Sequence, residues 1–315
     1  MSHELGASII VPSRGGAGRL PVLLSALSRQ DTDDFEVIVV LDGDTDNSET
    51  ILDRFAANIE VALRKVTLPE NRGRAAALNA GAEIARGRVL IRCDDDLEPQ
   101  PDYVSKHIAA HSKSVVGVVG LCRNVFPETT YARVYGRAAD ERFRKEAVAC
   151  SSEEQWRYWA GNVSVLRSVH QEIGGYDERF RRYGWEDVDY GYRLLVSGVP
   201  VRIEPSLTTP HYVAATTTSV RAHRALHSGA ARETFIGKHG PDALGVPTPD
   251  RGVWSALVTV ASTLATETTL RRAGATVDAA AAVLPVWMSE KLVALVVESA
   301  GRAGIRYPHR ARARF

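Results

Sequence analysis

The first half of the chain alternates short apolar runs with segments of helical spacing. Ala7–Val11, Phe35–Leu41 and Val89–Cys93 are continuous apolar runs rich in β-branched residues, and Val61–Leu68 alternates like a strand. Between them, Leu20–Leu27 and Ser48–Phe55 read as helices, the second with Asn47 as a candidate N-cap, and Arg74–Ala85 is an alanine-rich helix. Strands that are apolar on both faces belong to a covered sheet. The alternation therefore predicts an α/β fold with a mostly parallel central sheet and helices on both faces. Ligands of such sheets bind beyond the carboxyl ends of the strands. Polar groups gather at three of those ends: Pro12-Ser13-Arg14, Asp42-Gly43-Asp44 and Asp94-Asp95-Asp96.

After Pro99 the pattern loosens. Pro101–Ser112 reads as a helix, Val115–Leu121 as a glycine-interrupted strand and Tyr131–Ala149 as an amphipathic helix or ordered loop. Ala160–Leu166 reads as a strand, Asp187–Val196 as a helix, and Val199–Ile203 is a further apolar run. Pro241–Asp250 has the composition of a linker, and Trp254–Ala300, rich in Ala, Val and Leu, reads as helical. The expected organisation is a catalytic region over 1–240, with halves of about 1–125 and 126–240, followed by a linker and helical region over 241–315. That last region is expected to pack on the rest, to form a homodimer face or to lie on a membrane surface.

The triple aspartate carries the sharpest chemistry. Like charges about 4 Å apart repel by about 1 kcal/mol even in water, and by more in a drier site. A divalent cation removes that cost, and hard cations such as Mg2+ or Mn2+ complete their shells with substrate phosphates. The cluster thus points to a metal that holds a diphosphate. The plainer alternative is a solvated acidic turn, with one Asp capping the helix from about Pro101.

Composition narrows the field. Lys and Arg total 39 against 38 Asp and Glu, for a formal charge of +1 over 315 residues, so no basic excess points to nucleic acid. Cys93, Cys122 and Cys150 are widely spaced and contain no CxxC pair, which suggests neither zinc nor a disulfide framework; Cys93 and Cys122 read as buried thiols. No leader is visible before the first strand. The apolar stretch around Ala279–Val297 contains Pro285, Glu290 and Lys291, too interrupted to span a bilayer. The expectation is a cytoplasmic protein without a transmembrane segment, peripheral membrane association being the alternative. The basic tail His309–Arg314 reads as disordered.

A second polar cluster is Tyr183-Gly184-Trp185-Glu186-Asp187. A helix beginning near Asp187 places Glu186 and Asp187 where its dipole stabilises negative charge. Asp187 is then placed to take a proton from an incoming hydroxyl, and Trp185 offers a flat face to a sugar ring. Helix capping and core filling are the alternatives. His211 is a candidate second metal ligand, whereas His223, His227 and His239 have no partner motif and read as surface or packing residues. Arg72 or Arg74, at the start of the alanine-rich helix, could pair with a diphosphate.

These residues together resemble family-2 glycosyltransferases with a GT-A fold, over roughly residues 5–215. Ser8-Ile9-Ile10-Val11-Pro12 is similar to that family's opening strand, and Val39–Gly43 to its second. Asn71-Arg72-Gly73 with Ala77, Asn79 and Gly81 is similar to its helix motif, and Asp94-Asp95-Asp96 to its DxD motif. Gly175–Phe180 with Gly184-Trp185-Glu186-Asp187 is similar to its acceptor loop and ED motif. The resemblance implies an inverting transfer from a nucleoside-diphosphate sugar, most readily a UDP-sugar, to a hydroxyl acceptor such as a secondary metabolite or a cell-surface glycan. It implies that Pro12, Arg14 and Asp42 hold the base, with Asp42 accepting from uracil N3–H. Arg74, Asp94 and Asp95 join the donor site, with Asp94 on the ribose. Asp96 and His211 bind Mn2+ or Mg2+. Asp187 is the general base, Glu186 bonds sugar or acceptor hydroxyls, and Trp185 and Tyr183 face the acceptor.

The run Arg14-Gly15-Gly16-Ala17-Gly18-Arg19-Leu20 departs from that pattern. It resembles the glycine loop of sugar-phosphate nucleotidyltransferases, but the Thr of that loop is absent and no Lys precedes Lys65. A retaining GT-A enzyme and a catalytically silent binding module are further alternatives. The Glu-Asp pair after Trp185 favours inversion over retention.

Overall fold

The apolar runs become the inner strands of a sheet whose carboxyl edge carries the polar clusters. The computed structural model describes residues 5–57, 61–181, 183–245 and 252–312. Its strands are β1 (Ala7–Ser13), β2 (Phe35–Asp42), β3 (Ala62–Leu68), β4 (Val89–Cys93), β5 (Gly117–Val119), β6 (Cys122–Asn124), β7 (Asn162–Leu166), β8 (Val201–Ile203) and β9 (Thr209–His211). The helices are α1 (Leu20–Leu27), α2 (Ser48–Ala56), α3 (Arg74–Ile84), α4 (Tyr103–Ala110), α5 (Arg137–Ala149), α6 (Arg167–Glu172), α7 (Trp185–Val196), α8 (Thr218–His239), α9 (Val253–Leu264), α10 (Glu267–Ala280) and α11 (Val286–Arg306).

Seven strands form one sheet in the order β3-β2-β1-β4-β7-β5-β8, and β6 pairs with β9 separately. The seven-stranded sheet is parallel except at β7, which runs antiparallel to both β4 and β5. Every residue of β2 and β4 is buried, as expected of strands covered on both faces. Leu20, Leu23, Leu24 and Leu27 of α1 pack with Ile9, Val11, Val37, Val39 and Ile91 in the core on one face. The reversal at β7 sets Asn162 opposite Cys93, so the start of β7 lies at the same edge as the aspartates that follow β4.

Several elements depart from expectation. Asn47 does not cap α2 with its side chain; it adopts φ 62°, and Asp44 accepts from the N–H groups of Ser48 and Glu49 instead, both at 3.2 Å. A π turn, Ala132–Gly136, leads into α5. The apolar stretch from Trp254 is three helices, broken before Thr266 and at Pro285, each of which N-caps the next helix. Pro241–Leu244 is a 3-10 turn following α8; of the expected linker, residues 246–250 lie outside the described residues, as do Met1–Glu4. Part of the basic tail is ordered. Pro308–Arg310 form a 3-10 turn in which the Arg310 guanidinium donates to the carbonyls of Thr263 and Ala265 at 3.0 Å, while Ala313 and Arg314 lie outside the described residues. Cys93 is buried, and Cys122 and Cys150 are half-buried.

By packing, the chain divides into two compact units. The first comprises Met1–Arg123, Arg144–Glu178 and Glu186–Val213; the second comprises Asn124–Phe143, Arg179–Trp185 and Ala214–Phe315. The units interleave along the chain, whereas composition placed boundaries near residues 125 and 240. Within the second unit, Ala222, Leu226 and Ala230 of α8 pack with Leu270 of α10 and with Ala300 and Ala303 of α11. No helix among the described residues is long and apolar enough to cross a membrane.

Candidate active site

The three adjacent aspartates after β4 turn to three different partners. Asp94 lies over Arg92, the one charged residue of β4. Arg92 Nε is 2.8 Å from Asp94 Oδ1, and an Nη is 3.2 Å from Oδ2, a bidentate pair. Asp95 instead accepts from Ser13 Oγ at 2.5 Å and from Arg19 at 2.9 and 2.8 Å. Asp96 turns to His211, with Oδ2 3.1 Å from Nε2. Helix α4 begins beyond them, with Asp102 at its N-cap.

Close backbone approach makes room for these side chains. A Cβ at Gly161 would lie 2.5 Å from Asp94 Oδ2, and one at Gly16 would lie 2.0 Å from Ser13 Oγ and 2.7 Å from Asp95 Oδ2. The glycine run between β1 and α1 thus lets the chain close over the Ser13–Asp95–Arg19 contact. Burial pushes the Asp95 carboxyl above its ordinary range, with Arg19 and Ser13 opposing it.

Arg92 also reaches the start of α7. Its remaining Nη donates to Asp187, so one buried guanidinium, 4% exposed, joins two carboxylates. The arginine remains firmly charged: its burial lowers its pKa, but Asp187 and Asp94 outweigh that and raise it well above the ordinary value. Asp94 is carried down to about 2; burial opposes this, and Arg92 and Arg74 drive it. Asp187 moves the other way, up to about 7, because burial outweighs Arg92 and because Glu186 lies beside it. Glu186 Oε1 accepts from Arg74 at 3.0 Å, while its Oε2 is buried without a hydrogen-bond partner.

Aromatic packing holds Arg92 in place. Tyr176 and Tyr190 stack at 4.3 Å, Tyr190 and Trp159 stack at 5.1 Å, and the Arg92 guanidinium lies 5.9 Å from the Tyr176 ring. Tyr176 Oη accepts from Trp159 Nε1 at 2.9 Å. Asn79 of α3 clamps the loop that delivers Tyr176: its side chain accepts from the Tyr176 N–H and donates to the Tyr176 carbonyl, both at 2.8 Å. A small cavity beneath this stack is lined by Arg92, Trp159, His170, Tyr176 and Tyr190 among others, but by none of the carboxylates. It belongs to the core.

The other expected donor-site residues lie along the same edge. Asp42, at the end of β2, accepts from the N–H groups of Arg72 at 2.6 Å and Gly73 at 2.8 Å, which anchors the turn into α3. Arg72 pairs with Glu178 at 3.1 Å. Pro12 is half-buried, and Arg14 is exposed with its carbonyl accepting from Arg19 at 3.0 Å. Trp185 and Tyr183 belong to the second unit. There Trp185 Nε1 donates to Ser228 Oγ at 3.2 Å, its ring lies 5.2 Å from Phe235, and Arg224 lies over Tyr183.

Asp96 and His211 fit a divalent cation by the chemistry of the donor set. Besides the Oδ2 facing His211, Asp96 presents a second oxygen, Oδ1, that is buried without a hydrogen-bond partner. An ionised oxygen in that state is costly unless a cation meets it. Sequence reasoning missed Arg92, Arg19, Trp159 and Tyr190. For Arg92 a signal existed: a lone cation inside the apolar run Val-Leu-Ile-Arg-Cys, two residues before the carboxylates.

The chain is similar to known proteins in sequence and in fold. The sequence model of glycosyl transferase family 2 matches residues 8–174, and that of the N-terminal domain of galactosyltransferase matches residues 146–217. The chain is 28% identical over 232 residues to validoxylamine A glucosyltransferase of Streptomyces hygroscopicus subsp. jinggangensis, covering 64% of this chain and 54% of that protein. It is 28% identical over 259 residues to the uncharacterized glycosyltransferase YfnE of Bacillus subtilis, covering 65% and 64%. The chain thus spans between about half and two-thirds of the length of these relatives. Among solved structures it is similar to mannosyltransferase PcManGT from Pyrobaculum calidifontis in complex with GDP-Man and Mn2+, at TM-score 0.64 and 20% identity over 98% of this chain and 88% of that one. It is also similar to GalNAc-T7 with UDP, GalNAc and Mn2+, at TM-score 0.54 and 16% identity over 78% and 52%. These likenesses show the GT-A fold. With more than half of its length matched by the family's model, the chain belongs to glycosyl transferase family 2.

Proposed function

We propose that the chain transfers a glycosyl group, with inversion, from a nucleoside-diphosphate sugar to a hydroxyl acceptor. The observation that carries this reading is Asp187: a buried carboxyl raised to about 7, joined through Arg92 to Asp94 beside the Asp96–His211 pair. A general base works best when its pKa lies near the operating pH.

In this reading Asp187 takes the proton of the acceptor hydroxyl. The acceptor oxygen forms its bond to the anomeric carbon as the bond from that carbon to the diphosphate breaks on the opposite face. Arg92 stays charged throughout and holds Asp187 and Asp94 in register. Glu186, with Oε2 open to a donor, accepts from a hydroxyl of the sugar or the acceptor. Asp94 meets the ribose. Asp42 accepts from the base with the lone pairs left by the Arg72 and Gly73 N–H groups, and UDP-sugars suit that contact. Arg74, whose side chain is 40% exposed, pairs with Glu186 at 3.0 Å, and Asp94 and Glu186 together raise its pKa further above the ordinary value. A divalent cation held by Asp96 and His211 would neutralise charge on the departing diphosphate. Imidazole ligation favours Mn2+ over Mg2+, in keeping with the Mn2+ of PcManGT and GalNAc-T7. The acceptor is a secondary metabolite or a cell-surface glycan, and the relative named for validoxylamine A favours the first.

A panel of UDP-, GDP- and dTDP-sugars, read as nucleotide release with and without Mn2+, tests this reading. Metal-dependent release from a UDP-sugar, lost in Asp187→Asn, is expected. Release that persists unchanged in that variant would sink the role of Asp187, and product retaining the donor's anomeric configuration would sink inversion.

A further inference from the structure

Two histidines and a glutamate far along the chain from the aspartates converge in the helical unit. His223 and His227 lie four residues apart on α8 and so share a face, with ring centroids 4.4 Å apart. Glu267 opens α10, directly after Thr266, whose capping box with Thr269 fixes that end of the helix. Glu267 Oε1 is 2.9 Å from His227 Nε2 and 4.0 Å from His223 Nε2. One donor atom from each of the three lies within 4.8 Å of the others.

We propose that His223, His227 and Glu267 bind a transition-metal cation, zinc by the chemistry of the donors, as a structural site separate from Asp96 and His211. Tetrahedral zinc with bonds of about 2.0–2.1 Å sets its donors about 3.4 Å apart. The observed separations bracket that value, so side-chain adjustments alone close the shell. Two imidazoles and one carboxylate suit zinc better than Mg2+ or Ca2+, which take oxygen shells. His227 is fully buried, whereas His223 is 37% exposed, leaving a solvent side for entry and for water as the fourth ligand. The carboxylate is itself oriented: Glu267 Oε1 accepts from the Arg312 N–H at 2.8 Å. Such outer contacts hold a ligand in its binding pose. A bound cation would tie α8 to α10 and to the segment around Arg312.

The test uses the full chain, stripped of metal and titrated with zinc chloride, with metal content after dialysis and the melting temperature as readouts. Wild type, Asp96→Ala and His223→Ala are compared. His223 is partly exposed, so His223→Ala is expected to melt close to wild type without metal. Zinc at about a hundredfold over its Kd is expected to raise the melting temperature of wild type and Asp96→Ala by about 5 °C. Both should retain one zinc that His223→Ala lacks, and His223→Ala should show no zinc-dependent rise. The proposal is overturned if wild type retains no zinc, if His223→Ala keeps the zinc-dependent rise, or if Asp96→Ala loses it.

Discussion

The buried guanidinium of Arg92 donates to the carboxylate of Asp187, 95 positions later in the chain, while its other two nitrogens grip Asp94. The contact joins a central strand to the first turn of α7 and places a carboxyl raised to about 7 beside one lowered to about 2. Carboxyls pushed apart in this way divide the labour of a site.

Removing the arginine leaves two carboxylates without their counter-charge. Arg92→Met is expected to lower stability by about 3 kcal/mol, in the range for one partner of a buried ion pair. Urea denaturation measures this. Arg92→Lys keeps the charge but not the fork, so it should recover part of the stability and little of the activity.

The raised pKa of Asp187 sets a pH dependence with a definite sign. A base must be unprotonated to act, so kcat/KM should climb as pH rises through about 7 and level off above it. Asp187→Asn should lower the rate by about 10³-fold and flatten that limb. A wild-type profile level from pH 5.5 to 8.5 would count against the assignment.

Gly161 should tolerate no side chain. A Cβ there would lie 2.5 Å from Asp94 Oδ2 and force that carboxylate off Arg92. Gly161→Ala is expected to fold and to lose about 10²-fold in kcat/KM, the scale of a displacement near 1 Å in an active site. Circular dichroism checks the fold and steady-state kinetics the loss.

Acid should destabilise the first unit through two buried histidines. His107 Nδ1 and His111 Nε2 both bond Ser164 Oγ at 2.8 Å. Burial lowers His107 to about 3 and His111 to about 4, so both are neutral in the fold. Below pH 6.5 the unfolded chain binds protons that the folded chain refuses. The stability tied to their neutral forms is therefore whole above pH 6.5 and drains as pH falls towards 4 and then 3. At pH 5 the loss is about 2 kcal/mol per histidine. Melting curves from pH 7.5 to 4.5 measure it, and His111→Gln should shallow the decline.

Local pattern carried most of the first half. Leu20–Leu27 and Val89–Cys93 have the same limits in the structure as in the hydrophobic pattern, because each buried face is written in adjacent residues. Helix α8 escaped notice because its inward positions are mainly small, Ala222, Ala230 and Ala231 among them, and close packing of small residues leaves little periodic contrast. His223 and His227 looked partnerless for another reason: Glu267, which faces both, lies 40 residues beyond His227. In the candidate site, residue types and order pointed to Asp96, His211 and Asp187, but the partners of Asp94, Asp95 and Asp187 depend on pairings across the fold. Asp95 lies between two half-buried carboxylates, and only its contacts with Ser13 and Arg19 across the fold set it apart from them.

The most direct measurement is calorimetric binding of UDP to the metal-free protein, with and without Mn2+, in wild type and Asp96→Ala. Binding to wild type is expected to require Mn2+ and to disappear in Asp96→Ala. Equal binding in EDTA, or no binding of any nucleoside diphosphate in the presence of Mn2+, would contradict it.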